Sequence, residues 1–257
     1  MIKRCIKYLY FLLPDILQHR IQRIYFKLFH NNENKRLQYM RSIDTTEGYS
    51  FKPFDDLRCI FIHIPKCAGV SINKSLFGNL AGGHTIINDY RYIYKPKEFN
   101  TYFKFTIVRN PWDRLVSAFH YLKKGGFNEI DAAWAEKNLS EYEDFDTFVK
   151  NWINSRNIWE WHPFRPQYHY ICINGKNLLD FTGYFENLEE DFEIICKKTG
   201  IHNSLGTYNQ SSRTDYKNYY NESTRQIVAA VYDRDIELLG YTFDNRNLKE
   251  ILQRRKI

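Results

Sequence analysis

The chain has 257 residues, 43% hydrophobic and 26% charged, enough to bury a sizeable core in one or two domains. Its 12 glycines and 7 prolines are too few for a collagen-like or low-complexity chain. A net charge of +7 and a pI near 9.0 point to an anionic partner: nucleic acid, a membrane surface or a phosphorylated ligand.

Where the charge sits narrows that choice. Residues 1–43 hold nine Lys and Arg against Asp15 and Glu33, so residues 44–257 carry equal numbers of basic and acidic residues, 28 each. With no helix-turn-helix, zinc-finger or RNP pattern, a nucleic-acid-coating protein is not expected. Five cysteines without a CxxC pair argue against a disulfide scaffold or a structural zinc site, and for a reducing compartment. The apolar run 8–14 is far shorter than the ~20 residues of a membrane span. Asp15 and His19 follow it and no small-residue cleavage site is visible, so neither a signal peptide nor a transmembrane helix is expected. A cytoplasmic protein, with possible peripheral contact to the inner face of a membrane through residues 1–30, is the expectation.

The first predicted element is a helix in which Leu17, Ile21, Ile24 and Leu28 recur at helical spacing, flanked by Arg20, Arg23 and Lys27. Such a basic amphipathic helix can lie on an anionic membrane or pack on the neighbouring domain; half-buried helices are the commoner kind. Residues 1–50 therefore read as a basic helical extension and 51–257 as one α/β domain. Arg58 to Ile64 reads as a strand ended by Pro65, and Val70 to Leu80 as the helix after it. Lys104 to Val108 is a second buried strand, and Pro111 opens a helix to about Tyr121. Gly125 to Asp146 reads as an acidic loop or insertion before a helix over 145–153. A third strand lies within 178–185. Asn187 and Glu190 have capping-box spacing for a helix ending near Gly200, and a last helix spans 222–239.

Two segments carry chemistry. In Phe61-Ile-His-Ile-Pro-Lys-Cys-Ala-Gly-Val-Ser-Ile72 a strand turns through small residues into a helix, so loop N–H groups and the helix N-terminus can converge on a phosphate or sulfate. Lys66 adds a mobile positive charge and Ser71 a hydroxyl; an ordinary strand–helix turn is the plain alternative. In Arg109-Asn-Pro-Trp-Asp-Arg-Leu-Val-Ser117, Arg109 ends a buried strand and can offer a fork of donors to a phosphate, or serve an internal salt bridge. Asp113 and Arg114 read as structural.

Together these segments resemble the 5′-phosphosulfate loop and the 3′-phosphate motif of sulfotransferases that use 3′-phosphoadenosine 5′-phosphosulfate (PAPS), above all the carbohydrate sulfotransferase branch. The stretches 180–191, 212–216 and 228–241 are also similar, so the resemblance covers about residues 58 to 243. It implies a P-loop-like fold: a central parallel sheet flanked by helices, with the phosphate loop after the first strand. It implies that Lys66, Cys67, Ala68, Gly69, Val70, Ser71 and Ile72 hold the 5′ end of PAPS, and that Arg109, Ser117 and Arg213 hold its 3′-phosphate. The family's usual Thr is Val70 here, which removes one hydroxyl contact. The implied reaction carries a sulfuryl group to a hydroxyl of a glycan or glycolipid precursor, a bacterial glycan being one expected acceptor, and releases 3′-phosphoadenosine 5′-phosphate (PAP). No metal is expected. Lys66 is the expected charge stabiliser, His84 the candidate base, and His162 and Gln167 acceptor contacts by similarity; each histidine alone could be structural. Tyr168, Tyr170 and the tryptophans 152, 159 and 161 could stack on sugar rings or fill a core. The rival enzyme reading is a nucleotide kinase or NTPase, because Gly78 to Thr85 has Walker A spacing with His84 in place of lysine and a preceding helix in place of a strand.

Overall fold

The computed structural model describes residues 10–206 and 214–255. In chain order the helices named here are α1 (Asp15–Phe29), α2 (Asn31–Met40), α3 (Lys52–Asp56), α4 (Gly69–Phe77), α5 (Tyr90–Ile93), α6 (Pro96–Thr101) and α7 (Pro111–Lys123). They continue with α8 (Glu129–Leu139), α9 (Phe145–Asn151), α10 (Gln167–Ile171), α11 (Leu188–Thr199), α12 (Glu222–Val231), α13 (Asp233–Leu239) and α14 (Leu248–Arg254). The central sheet is parallel in the order β1 (Cys59–Ile62), β2 (Phe103–Val108) and β5 (Phe181–Tyr184); β3 (Cys172–Ile173) and β4 (Lys176–Asn177) form a separate small hairpin. Helices flank this sheet, as the α/β reading expected.

Parallel strands covered on both faces read as unbroken apolar runs, and β1 does so; β2 is almost equally buried although it holds Lys104, paired with Asp180, and Thr106, whose hydroxyl donates to Ile62 O. Register places Phe61 beside Phe105, whose rings stack 5.1 Å apart. All three strands run the same way, so their C-terminal ends lie along one edge, where open α/β sheets place their ligands. From that edge β1 feeds α4, β2 feeds α7, and β5 passes through a short 3-10 turn at Phe185–Asn187 into α11. A second core lies against α7: Leu115, Val116 and Phe119 pack among Phe148, Trp152, Phe164 and Val228.

Three local expectations are corrected. The acidic stretch expected as a loop contains α8, capped by Asn128, whose side chain accepts from the N–H groups of Ile130 and Asp131. Asn187 does not cap α11 with its side chain; its Nδ2 donates to Asp191 at 2.9 Å, and the other Asp191 oxygen accepts from Tyr184 N. The last helix breaks at Tyr232 into α12 and α13, with the Tyr232 hydroxyl donating to Phe164 O.

The basic helix α1 docks through its polar side. His19 is buried and its Nε2 lies 2.9 and 3.0 Å from the carbonyls of Arg91 and Tyr94, while buried Arg91 pairs with Asp15 at 2.6 Å. Phe26 stacks on Tyr92 at 4.4 Å. The apolar stripe that the periodicity picked out faces solvent.

Candidate active site

The turn after β1 is held in a conformation that non-glycine residues avoid. Lys66 has φ +69° and Ala68, the N-cap of α4, has φ +57° and ψ +17°. Left-handed residues alternating with helical ones turn consecutive N–H groups toward one concave point, a geometry suited to an anion. Such strain persists where the surroundings impose it, and it clusters at functional sites. Gly69 is required by close approach: a Cβ there would lie 1.8 Å from Cδ2 of His63. Ser71 and Ile72 are buried in the first turns of α4, and Val70 just before them is half-buried. Burial pushes the Cys67 thiol up to about 12, so it stays neutral within the loop.

The turn after β2 is joined to this loop. Arg109 is buried; its Nε donates to Asp113 at 2.8 Å, its Nη1 to the carbonyl of Lys66 at 2.9 Å, and its guanidinium lies 3.8 Å from the centre of the Phe185 ring. Asn110 caps α7 and fixes the strand-to-helix angle. Ser117 is buried on α7, one turn beyond Asp113. Arg114 donates to the carbonyls of Pro65 and Arg165 and so supports the loop from beneath. Arg213 lies outside the described residues.

Gln167 sits between the two turns with no exposed surface. Its Oε1 accepts from Arg109 N at 3.0 Å and lies 3.5 Å from Cys67 Sγ, while its Nε2 donates to Arg109 O at 2.8 Å. Both ends of the amide are thus engaged by the two turns, the geometry of a positioning residue. Its own N–H donates to Asp235, whose carboxyl burial pushes up to about 6.

Three histidines line the other side. The His63 and His84 rings lie 4.2 Å apart, and those of His84 and His162 lie 4.9 Å apart. His84 Nδ1 is 3.1 Å from the carbonyl of His63. That nitrogen must therefore carry the proton, which leaves Nε2 as a free acceptor. Burial lowers the basicity of all three; neighbouring histidines add to it at His63 and His84, and Arg165, Arg114 and Lys66 add to it at His162; His84 falls to about 4. His84 is at the same time exposed at its surface. The loop that presents it is fitted around glycine: a Cβ on Gly82 would meet the Tyr90 hydroxyl at 2.3 Å, and Gly83 has φ +57°. Residues 78–85 follow a helix, not a strand, so the Walker-type reading lacks its structural context.

Sequence reasoning missed one chain of contacts. The Lys66 ammonium lies 3.7 Å from the centre of the Tyr121 ring, and the Tyr121 hydroxyl donates to Asp131 at 2.7 Å. Buried Asp131 also accepts from Trp161 Nε1 at 3.0 Å, and Trp161 stacks on Trp134. One carboxylate of α8 therefore joins the loop lysine to the aromatic wall next to His162. The only available signal was Asn128 before a first turn holding Glu129 and Asp131, a helix-start pattern inside a segment read as loop. The aromatic candidates divide: Trp152 and Tyr170 are buried in the cores, whereas Trp159 is exposed and Trp161 and Tyr168 are half-buried. Among the described residues no group of three or more His, Cys, Asp or Glu is arranged to hold a metal ion.

The arrangement offers a concave N–H cradle, a lysine beside it, an arginine that shapes it, and a neutral imidazole acceptor nearby. Comparison with known proteins gives this geometry a context. The sequence profile of the Sulfotransferase family matches residues 50–242. An uncharacterized protein of Archaeoglobus fulgidus is 39% identical over 111 residues, covering 42% of this chain and 77% of the relative. Carbohydrate sulfotransferase 10 of Homo sapiens is 26% identical over 179 residues, covering 56% of this chain and 48% of the relative. The protein of the same name from Gallus gallus is 25% identical over 179 residues, with the same coverage. The chain spans about half the length of these carbohydrate sulfotransferases. No solved structure matches it.

Proposed function

The chain belongs to the sulfotransferase family, and from that premise we propose that it moves a sulfuryl group from PAPS to a hydroxyl of a carbohydrate, releasing PAP. The observation that carries this reading is the bond from Arg109 Nη1 to the Lys66 carbonyl. It makes one continuous surface of two segments suited separately to a 5′ and a 3′ phosphate. The similarity to proteins named carbohydrate sulfotransferase 10 supports a glycan or glycolipid-precursor acceptor.

PAPS supplies the activated sulfuryl group; the chain's residues position it and manage charge and protons. The N–H groups of residues 66–72 hold the 5′ end, and Arg109 and Ser117, with Arg213 by similarity, hold the 3′-phosphate. Lys66 offsets the negative charge that grows on the departing phosphate oxygen, while Tyr121 beneath it limits its range. His84 accepts the acceptor hydroxyl's proton at Nε2, and the backbone bond at Nδ1 keeps that tautomer in place. His162 and the accessible face of Trp161 form the wall against which a sugar ring packs. Gln167 holds the two donor loops in register.

Calorimetric titration with PAP, followed by transfer of labelled sulfate from PAPS to a panel of glycans, glycolipids and simple alcohols, tests the proposal. PAP binds and at least one carbohydrate is labelled; Lys66→Ala abolishes labelling while the protein still folds. Tight binding of ATP with magnesium and none of PAP overturns it.

A further inference from the structure

Among the described residues, 15 large apolar side chains are exposed, and nine of them lie between Phe11 and Phe29. Leu17, Ile21, Ile24, Tyr25, Leu28 and Phe29 of α1 fall within an arc of about 140° on a helix that turns 100° per residue. Ile24, Leu28 and Phe29 are 60%, 69% and 68% exposed. The opposite side of α1 is already occupied by His19, by the Asp15–Arg91 ion pair and by the Phe26–Tyr92 stack. The stripe is therefore not left over from poor docking: the helix is docked, by its polar side. A soluble surface seldom leaves so many adjacent apolar side chains in water without a partner.

Charge identifies the partner. Residues 1–43 carry a surplus of seven positive charges on an otherwise neutral chain. Arg20 and Lys27 border the stripe, and Lys35 follows on α2; all three are exposed, and no ion pair engages them among the described residues. A second copy seated stripe to stripe would bring two such basic rows together, which like-charge repulsion opposes. An anionic bilayer accepts both features, apolar side chains below the headgroups and basic ones among them. No helix among the described residues is long and apolar enough to cross a membrane, so the helix would lie along the surface.

We infer that α1 seats the protein on an anionic lipid surface, with its 17–29 stripe in the interface and Arg20 and Lys27 among the lipid phosphates. This does not rest on the transfer chemistry. The test is co-sedimentation of the full chain with vesicles of phosphatidylglycerol and phosphatidylcholine in equal parts, and with phosphatidylcholine alone. The wild type binds the anionic vesicles and releases as salt rises. Ile24→Glu/Leu28→Glu binds about tenfold or more weakly, as does Arg20→Glu/Lys27→Glu, which also loses the salt dependence. Unchanged circular dichroism and melting temperature in both variants confirm that they fold, whether or not the protein binds PAP. Absence of binding to anionic vesicles, or equal binding by both variants, overturns the inference. So does a concentration-dependent dimer that Ile24→Glu/Leu28→Glu dissociates while vesicles have no effect.

Discussion

Arg109 at the end of β2 donates from Nη1 to the main-chain carbonyl of Lys66 at the end of β1, 2.9 Å away. A residue named for binding phosphate thus also holds the shape of the neighbouring loop. The same guanidinium is ion-paired to Asp113, with both side chains about nine-tenths buried.

Arg109→Ala should therefore cost stability as well as affinity. Removing Arg109 takes away one partner of buried Asp113 together with the Nη1 bond to the Lys66 carbonyl, and breaking a buried pair costs up to about 3–5 kcal/mol. Arg109→Lys keeps the charge but cannot span Asp113 and the Lys66 carbonyl with one ammonium on a flexible stem. We expect PAP affinity to fall at least about tenfold in the lysine variant, read by calorimetry beside a denaturant melt. Wild-type affinity in Arg109→Lys would refute the shaping role.

Gly69→Ala should fail for a different reason, a collision. Its methyl would lie 1.8 Å from the His63 ring, and overpacking of this kind costs about 1–3 kcal/mol or displaces the loop. Adding His63→Ala makes room, so the double variant should recover PAP binding relative to Gly69→Ala alone. If the two bind equally poorly, the close approach is not what requires glycine.

The three histidines predict an acid-side dependence. Their folded pKa values lie below the ordinary 6.5, with His84 at about 4, because the neutral form is favoured in place. The stability they contribute is full above pH 6.5 and is lost as pH falls toward the folded values. Asp89 and Asp235, pushed up to about 6, act in the opposite sense: protonation on the same descent relieves a buried charge. The measured Tm should fall from pH 7.5 to 5, less steeply in His63→Asn. With His84 as base, the acid limb of kcat should lie below pH 6.5, and His84→Ala should lower kcat far more than PAP affinity. Full turnover in His84→Ala would remove it as the base.

Much of this was legible in the sequence, for local reasons. The strands are mainly apolar runs closed by Pro65 or by Arg109-Asn110, and Pro111 and Gly200 mark helix ends by their own backbone preferences. What could not be read depends on partners far along the chain. Gln167 bridges to Arg109 across 58 positions and Arg114 reaches Pro65 across 49. No periodicity reports such pairings. The break at Tyr232 reflects a hydroxyl bond to Phe164, again non-local. The 17–28 stripe was visible at once, but which side of α1 would dock depended on Arg91 and Tyr92, far downstream.

Asp131 has a consequence for how such a protein can diversify. The segment carrying it looks interchangeable, an acidic excursion between two core helices. Yet its carboxylate holds the hydroxyl of Tyr121, whose ring supports the Lys66 ammonium, and the same carboxylate orients Trp161 beside His162. Swapping residues 125–146 would therefore also shift the ring on which the Lys66 ammonium rests. The loop lysine and the Trp161 ring share one hinge pin in this chain, and a transplanted segment must bring a carboxylate to the same spot.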